Sequence, residues 1–184
     1  LSPAQLAYAR DTLADLPQAE PRLQDYRDVR GSYDRIVSIE MVEAVGEAYW
    51  PRYFATLRDR LAPGGIAVLQ AITIDERRFP SYRNSMDFIQ KYIFPGGMLP
   101  SVPLLRAQIA AAGLRLIEEC RFPDGYARTL AEWNRRFQAA WPAIEASGFP
   151  PRFKRMWEYY FGYCEGGFRA GAIDVGLYRI IHAS

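Results

Sequence analysis

Apolar and polar residues alternate along this chain in a pattern that predicts strands separated by helices. Residues 35–39 form a short β-branched run with a charged start, which predicts a buried strand. Residues 66–74 predict a second buried strand, with Gln70 as the polar residue in its middle. Residues 114–122 and 172–182 predict two more strands. Because helical segments separate these strands, we expect an α/β fold with a largely parallel sheet.

Helical spacing of apolar residues predicts the segments between the strands. The first helix begins at Pro3, with Ser2 in a position to cap it. The Pro-Gly-Gly sequence at residues 63–65 predicts the end of the second helix, and Gly166-Gly167 predict a loosened segment after the last one. Residues 22–26 predict a short strand. The helices after the first are predicted at residues 49–61, 86–92, 102–112, 129–146 and 151–162.

The periodicity weakens between residues 75 and 101, where aromatic residues accumulate around Pro95-Gly96-Gly97. Such a segment is typical of a lid or of a wall that contacts a bound ligand. A turn is predicted further on, at Pro123-Asp124-Gly125. The aromatic residues of the segment are Phe79, Tyr82, Phe88, Tyr92 and Phe94.

The composition is that of one folded domain, because 49% of the 184 residues are hydrophobic. This content excludes a disordered chain. No apolar run approaches the ~18 residues that a membrane helix needs, and the first residues lack the basic and apolar regions of a signal peptide. We therefore expect a soluble cytosolic protein.

The charges are nearly balanced, with 23 basic and 21 acidic residues and a net charge of +2. This balance argues against a nucleic-acid partner. In the last third of the chain, basic and large aromatic side chains are interleaved, which suits either an anionic lipid surface or a salt-bridged helical face. These residues are Arg128, Arg135, Arg136, Arg152, Lys154 and Arg155, among Trp133, Phe137, Trp141, Phe153 and Trp157.

The candidate metal ligands are few. Cys120 and Cys164 lie far apart in the sequence, and His182 is the single histidine. Since no metal-binding spacing is present, we expect no metal site built from Cys and His. In the cytosol both thiols would stay reduced.

Two carboxylates follow the first predicted strand. Glu40 and Glu43 lie at its carboxyl end, where open α/β sheets bind their ligands. They either face a pocket or belong to a solvated turn. Gln70, in the middle of the second strand, needs a partner if it is buried, and this partner is either a backbone group or a ligand.

Several sequence blocks, in a fixed order, carry a resemblance to a known family. They are YDRIVSIEMVEAVG from Tyr33, YFATLRDRLAPGG from Tyr53, AVLQAITI from Ala67, KYIFPGGMLPS from Lys91 and RFKRMWEYYFGYCEGGFRAG from Arg152. Together they resemble the carboxyl-terminal part of the cyclopropane-fatty-acyl-phospholipid synthase family, which includes the mycolic acid methyltransferases.

The resemblance implies a Rossmann-like S-adenosylmethionine-dependent methyltransferase sheet with helical lid insertions. Residues 1–184 would be the carboxyl-terminal portion of one such domain, with residues 75–102 and 123–170 as the lid or acyl-binding insertions. The family's glycine-rich cofactor loop would lie upstream of Leu1, so we expect a sheet truncated at its amino-terminal side. The strand containing Ile36 would then expose an edge. We expect either that this edge pairs with another chain, for example in a homo-oligomer, or that the residues near it are poorly ordered.

The resemblance also implies an activity, the transfer of a methyl group to the double bond of an unsaturated phospholipid acyl chain. Glu43 and Tyr126 match residues that hold a bicarbonate ion, which would accept the proton lost after transfer. Gln70 stands where histidine is usual, Ile72 is intact, and Cys164 matches a cysteine long treated as catalytic. These five positions, Glu43, Gln70, Ile72, Tyr126 and Cys164, are the candidate catalytic residues.

Two departures from the family pattern concern the product. Gln70 replaces one histidine, and Ala44 stands where a second histidine usually follows the glutamate. An amide keeps a donor and an acceptor but carries no titratable proton. A cyclopropane and a methyl-branched acyl product both stay open.

The resemblance implies further residues for the cofactor. They match a Leu-Ser-x-x-Gln block, the polar end of the next predicted strand, and the strand before Glu40. Ser2 and Gln5 have an equally good interpretation as a helix cap and a solvent-facing amide. The candidate cofactor residues are Leu1, Ser2, Gln5, Gln24, Asp25, Tyr26 and Ile39.

The location implied is cytoplasmic, peripheral to the inner face of the membrane. Two alternatives remain: a non-catalytic remnant that binds lipid or a partner, and a small-molecule methyltransferase that shares only the fold. An acyl tunnel would exclude the second, and a cavity shared by Glu43, Gln70, Ile72 and Tyr126 would support catalysis. The tunnel would be lined by Phe88, Tyr92, Phe94, Phe137, Trp157 and Tyr160.

Overall fold

Four strands pair into one sheet in the computed structural model, which describes residues 2–183. They are β1 (Tyr33–Ile39), β2 (Leu61–Ile74), β3 (Leu114–Arg121) and β4 (Ile173–His182), in the order β1-β2-β4-β3. The α/β class and the truncated Rossmann-like sheet are confirmed. β1 and β2 are parallel, with Ile39 opposite Gln70.

The prediction of a largely parallel sheet is wrong at β4, which runs antiparallel to both of its neighbours. The reason lies in the connection from β3. Two long helices leave the end of β3 and return to the same end, so that Phe122 N donates to Val175 O at 3.0 Å. A single crossover helix would have delivered the chain to the opposite end and made the pair parallel.

The predicted helices are present in the predicted order, although several of their ends differ. Two short helices that were not predicted, at Val42–Val45 and Phe79–Arg83, are present as well. The helix from Pro3 is capped by Ser2 Oγ, which accepts a hydrogen bond from Gln5 N at 3.3 Å. The helices are α1 (Pro3–Thr12), α2 (Val42–Val45), α3 (Trp50–Arg60), α4 (Phe79–Arg83), α5 (Phe88–Tyr92), α6 (Val102–Ala111), α7 (Pro123–Ala146) and α8 (Pro151–Arg169).

Three predicted boundaries are wrong. The Pro-Gly-Gly at residues 63–65 is an irregularity inside β2: Leu61 pairs with Tyr33 and Ile66 with Arg35, so that four residues bulge out. A Cβ at Gly65 would lie 2.8 Å from Ala62 O, so only glycine fits there. The predicted turn at residues 123–125 is instead the first turn of α7, where Pro123 suits the helix start.

The Gly166-Gly167 pair does not loosen the chain, because α8 continues through both residues to Arg169. A Cβ at Gly167 would lie 3.1 Å from the side chain of Ile173, so glycine lets α8 approach β4 closely. The predicted strand at residues 22–26 is also wrong. Asp25 caps a short 3-10 turn at Tyr26–Asp28, which takes the place of the strand's end.

Helices cover both faces of the sheet and form two hydrophobic clusters. On one face, α3 and α6 bury Trp50, Phe54 and Leu105 against Leu69 and Ile180. The other cluster joins α7 and α8 to the opposite face of β2 and β4, and its members are Ala127, Leu130, Phe161, Phe168 and Val175, with Ile72 and Tyr126 packed against them. Alternate residues of a strand face opposite sides, so Gln70 and Ile72 point toward the α7 and α8 side.

β1 is an edge strand, and its exposed edge is confirmed. The sequence predicted that this strand is buried, and this prediction is wrong, because Val37 is 68% exposed and Ile39 is 54% exposed. An edge strand with exposed apolar side chains presents unpaired backbone groups together with a surface for packing. Pairing of this edge with another chain stays a prediction.

Candidate active site

Glu40 occupies the first position after β1 in an unusual backbone conformation. Within residues 2–183 it is the one non-glycine residue with a positive φ, +47°. Its backbone N donates to Gln70 O at 2.9 Å, which continues the pairing of β1 with β2 by one residue. A left-handed conformation is costly for a residue with a Cβ and is often found at functional sites.

The Glu40 carboxylate accepts hydrogen bonds from two of the predicted site residues. Gln70 Nε2 donates to Glu40 Oε1 at 2.7 Å, and Tyr126 Oη donates to Glu40 Oε2 at 2.9 Å. Burial raises the pKa of Tyr126, and the hydrogen bond to Glu40 raises it further, so the phenol stays protonated as a donor. The sequence predicted either a backbone group or a ligand as the partner of Gln70. The partner is instead the Glu40 side chain.

Tyr126 reaches this position from the first turn of α7, directly after β3. Its ring packs against Phe168 at 5.0 Å and edge-on against Trp133 at 6.2 Å, measured between ring centroids. These contacts fix the ring between α7 and α8, with the hydroxyl toward the end of β1. The Pro-Asp-Gly start of α7, which looks like a turn in the sequence, therefore sets the direction of this side chain.

Glu43 lies in α2 with 9% of its surface exposed. Its Oε1 accepts a hydrogen bond from Ile72 N at 2.6 Å, and among residues 2–183 its buried Oε2 has no hydrogen-bond partner. Burial raises the pKa of Glu43 to about 7, against the effect of the backbone hydrogen bonds, and the Glu40 carboxylate adds to the rise. At neutral pH this carboxyl group is therefore poised between its acid and its carboxylate form.

The structure brings four predicted catalytic residues to one end of the sheet. Glu43 is bonded to Ile72, while Gln70 and Tyr126 are joined through Glu40. Gln70 and Ile72 are alternate residues on the same face of β2, so the two sets are neighbours. Glu40 itself was not assigned a role from the sequence, although its place at a strand end, beside Glu43, was a signal.

Cys164 packs against the α7 and α8 cluster, as do Ile72 and Tyr126 of this network. Burial raises the pKa of its thiol to about 12. The thiol is therefore protonated at neutral pH and is a poor nucleophile. Its catalytic role stays a prediction, and its surroundings favour packing.

The candidate cofactor residues divide into two groups. Leu1 lies outside the described residues, and Ser2 and Gln5 form the cap of α1, a helix without buried residues. The segment from Gln24 to Tyr26 instead lies beside the sheet: Tyr26 packs edge-on against Tyr53, whose hydroxyl donates to Ser38 Oγ at 2.7 Å.

Asp25 and Gln24 are held in place by local bonds. The hydrogen bonds and ion pair with Arg27 hold the pKa of Asp25 at about 2, and Gln24 Nε2 donates to Asp28 O at 3.0 Å. A fixed, ionised carboxylate therefore belongs to the segment that packs through Tyr26 against Tyr53. Ile39, which follows Ser38 in β1, is 54% exposed.

A cleft of about 320 Å³ opens between α5 and α8, away from the Glu40 network. Phe88 and Tyr92, predicted for an acyl tunnel, belong to it, whereas Phe94 is 56% exposed and does not line the cleft. The other predicted tunnel residues, Phe137, Trp157 and Tyr160, pack in the α7 and α8 cluster. The lining of the cleft consists of Phe88, Tyr92, Arg152, Arg155, Met156 and Tyr159.

The basic residues of the last third fit both interpretations left open by the sequence. Arg135 and Arg136 bind Glu132, each at 2.7 Å, and so form a salt-bridged helical face. Arg152 and Arg155 instead line the cleft, beside its aromatic side chains. None of the helices within residues 2–183 combines the length and the apolar character needed to cross a membrane.

Comparison with known proteins identifies the family of this chain. The family model for mycolic acid cyclopropane synthetase matches residues 1–178. The chain belongs to this family. Membership accounts for the α/β sheet with its parallel β1 and β2.

Individual relatives in the mycolic acid cyclopropane synthetase family are similar over most of this chain. Tuberculostearic acid methyltransferase UfaA1 of Mycobacterium tuberculosis is 44% identical over 165 residues, which are 89% of this chain and 39% of that protein. Cyclopropane-fatty-acyl-phospholipid synthase of Escherichia coli K12 is 41% identical over 159 residues, 86% of this chain and 40% of that protein. The chain thus spans about two fifths of the length of these two relatives.

Solved structures show the same fold. The crystal structure of mycolic acid cyclopropane synthase CmaA1 complexed with SAH and CTAB superposes with a TM-score of 0.86 at 25% identity, over 97% of this chain and 67% of that one. The cyclopropane synthase MmaA2 from Mycobacterium tuberculosis gives a TM-score of 0.84 at 26% identity, with the same coverage.

Proposed function

We propose that the protein containing this chain transfers a methyl group from S-adenosylmethionine to the double bond of an unsaturated phospholipid acyl chain. The product would be a cyclopropane or a methyl-branched acyl chain. The observation that carries the proposal is the network at the ends of β1 and β2, where Glu40, Gln70 and Tyr126 are bonded to one another beside the buried Glu43. Membership of the mycolic acid cyclopropane synthetase family supports it.

When bound, the cofactor supplies an electrophilic methyl group. The residues of this chain that fit it best are Asp25, with an ionised carboxylate for hydroxyl groups, and Ile39, with an exposed apolar side chain for a ring. Tyr26 packs against Tyr53 of α3, and Gln24 donates within the segment to Asp28 O. We retain these four residues in the proposed cofactor site. Ser2 and Gln5 are assigned to the cap of α1.

The chemistry requires a dry site and a proton acceptor. An alkene is a weak nucleophile, so the site must align it with the methyl group and exclude water. The carbocation that results must then lose a proton to a base. Glu43 and Glu40 are the two carboxyl groups at the end of the sheet that are available for proton transfer.

A bound bicarbonate does not fit the donors assigned to it. Tyr126 was expected to donate to the anion, and Gln70 to stand beside it, but both side chains already donate to Glu40. Glu43 Oε2 has no hydrogen-bond partner among residues 2–183, but it is an acceptor oxygen and offers an anion no fixed hydrogen-bond donor. We therefore assign no reaction step to bicarbonate.

Contact with an anionic phospholipid surface is part of the proposal. Arg152 and Arg155 line the same cleft as the aromatic side chains of Phe88, Tyr92 and Tyr159. Cationic groups beside aromatic rings suit the boundary between head groups and acyl chains. Such contact would place the protein in the cytoplasm, at the inner face of the membrane.

We also propose that the edge of β1 pairs with another strand, for example in a homo-oligomer. The exposed side chains of Val37 and Ile39 support this, because they lie on the free edge strand. In sedimentation of the 184-residue chain, in which β1 is the edge strand, Val37→Lys should shift an oligomer toward monomers, as a charge on an edge opposes pairing. An oligomer unaffected by this change would not use the β1 edge.

The experiment is a transfer assay with the full-length protein. Vesicles of phosphatidylglycerol with unsaturated or with saturated acyl chains are incubated with S-adenosylmethionine, and formation of S-adenosylhomocysteine is measured. We expect turnover with the unsaturated lipid alone. Vesicle binding without turnover would instead indicate the non-catalytic lipid-binding alternative, and turnover with small water-soluble amines alone would indicate a small-molecule methyltransferase.

A further inference from the structure

Two donors that could hold a small anion are already used by a side chain of this protein. Gln70 Nε2 and Tyr126 Oη come from different elements, β2 and α7, yet both donate to the Glu40 carboxylate, at 2.7 Å and 2.9 Å. A carboxylate and a bicarbonate ion present the same pair of acceptor oxygens to such donors. We infer that Glu40 takes the place of a bound oxyanion and is the base that accepts the proton lost from the alkylated acyl chain.

The backbone supports a dedicated role for Glu40. Its φ of +47° is a conformation that glycine adopts freely and that a glutamate adopts at a cost. The Glu40 N to Gln70 O bond, at 2.9 Å, holds the residue in this conformation. Strain of this kind persists where the surrounding structure fixes it, and it is concentrated at active sites. A structural partner for Gln70 alone would not need a second donor from α7.

The step balances without any further reactant. The alkene's π electrons form the bond to the transferred methyl group, and the other alkene carbon becomes a cation. If a proton leaves the new methyl group, its C–H electron pair closes the ring; if a proton leaves a neighbouring carbon, the pair forms a new double bond. In both cases the proton goes to a Glu40 oxygen, and the neutral acid later releases it to solvent.

The inference rests on the proposed function and makes a separate prediction about bicarbonate. Turnover is measured with the full-length protein and unsaturated vesicles, in carbon-dioxide-free buffer with and without added bicarbonate. We expect the wild-type rate to be independent of bicarbonate. A wild-type rate that collapses without bicarbonate and returns with it would overturn the assignment, while leaving the methyl transfer itself established.

Two variants of Glu40 sharpen the test. Glu40→Gln keeps the size of the side chain but cannot take a proton, and we expect its rate to fall about a hundredfold, with no recovery on adding bicarbonate or formate. Glu40→Gly suits the positive φ and opens space between Gln70 and Tyr126, so its lost rate should return with either anion. Glu76→Gln, on an exposed side chain, is the control. Full activity of Glu40→Gln would overturn the inference.

Binding provides a readout that does not depend on turnover. The resonance of ¹³C-labelled bicarbonate should broaden on adding the Glu40→Gly protein and stay sharp with the wild type. Broadening by the wild type would show that Glu40 does not exclude the anion. If no variant or wild-type protein turns over, the proposed function fails, and this binding comparison still decides whether Glu40 fills the anion position. Circular dichroism verifies that the variants are folded.

Discussion

Glu43 carries its carboxyl group where water has little access, and this has consequences for the stability of the fold. Burial is the main cause of its raised pKa, and its one good hydrogen bond, from Ile72 N, only partly offsets the loss of solvation. The structure thus maintains one carboxyl group near its titration point beside another, Glu40, that is held by two donors. The sequence could place both glutamates at a strand end, but burial and bonding depend on α2, β2 and α7 together.

The pKa of Glu43 predicts a pH dependence of stability. The folded-state pKa, about 7, lies above the ordinary value of 4.5, so the protonated form is favoured in the folded protein. This contribution is fully present below pH 4.5 and is lost as the pH rises through 7, a change of about 3 kcal/mol in the free energy of unfolding. Glu43→Gln should therefore be more stable than the wild type at pH 8 and should lack this dependence.

Urea unfolding of the full-length protein at pH 5 and pH 8 measures the effect of Glu43→Gln. Glu145→Gln, on an exposed side chain of α7, is the matched control and should follow the wild type. An equal loss of stability between the two pH values in the wild type and Glu43→Gln would contradict the assignment of the effect to Glu43.

The two cysteines should differ in reactivity. Burial raises the pKa of Cys164 to about 12, whereas Cys120 is exposed. In the single variants Cys120→Ser and Cys164→Ser, which each leave one thiol, we expect iodoacetamide to modify Cys164 slower than Cys120 by roughly two orders of magnitude or more. Comparable rates at pH 7.5 would mean that Cys164 is an accessible nucleophile after all.

At the scale of the elements, the sequence predicted the existence of helices and strands better than their ends and directions. Local patterns identified β1, β2 and α6 because each has a clear periodicity. They failed at Gly166-Gly167 and at residues 63–65, where glycine serves close packing and a bulge and does not end a helix. The direction of β4 was not predictable from its own residues, since it depends on the pairing of α7 with α8.

The glycine pair in α8 gives a test of this packing argument. A Cβ at Gly166 meets nothing within 4 Å, whereas one at Gly167 lies 3.1 Å from Ile173. Gly166→Ala should therefore stabilise the protein by about 0.5–1 kcal/mol through helix propensity. Gly167→Ala should be less stable than Gly166→Ala by about 1 kcal/mol, because Ile173 must move. Thermal unfolding of the two variants compares them directly, and equal gains would show that α8 does not press on β4.

At the scale of the whole molecule, the resemblance of the sequence blocks was enough to identify the family. The family model matches the chain from residue 1 to residue 178. It was not enough to assign the site in detail. The resemblance gave Gln70 and Tyr126 to a bound anion, and only the folded chain brings Glu40 between them. A missed residue of this kind is expected where the backbone is strained, because local preference and function then disagree.

The cleft between α5 and α8 predicts how the molecule meets lipid. Arg152→Gln with Arg155→Gln should weaken binding to phosphatidylglycerol vesicles by roughly thirtyfold, since each cationic group near an anionic surface contributes about 1 kcal/mol. Arg135→Gln with Arg136→Gln changes the net charge equally but removes arginines that pair with Glu132, so it should have a smaller effect. Equal losses in both double variants would indicate attraction by overall charge and not by the cleft.

The most direct test of the central claim, that the strand-end carboxyl network serves methyl transfer to an acyl chain, is mass spectrometry of the lipid. The full-length protein is incubated with unsaturated phosphatidylglycerol vesicles and S-adenosylmethionine carrying a ¹³C-labelled methyl group, and the acyl chains are then released. We predict acyl chains that have gained one labelled carbon, in the wild type and far less in Glu40→Gln. Labelled lipid formed equally well by both proteins, or by neither, would contradict the account.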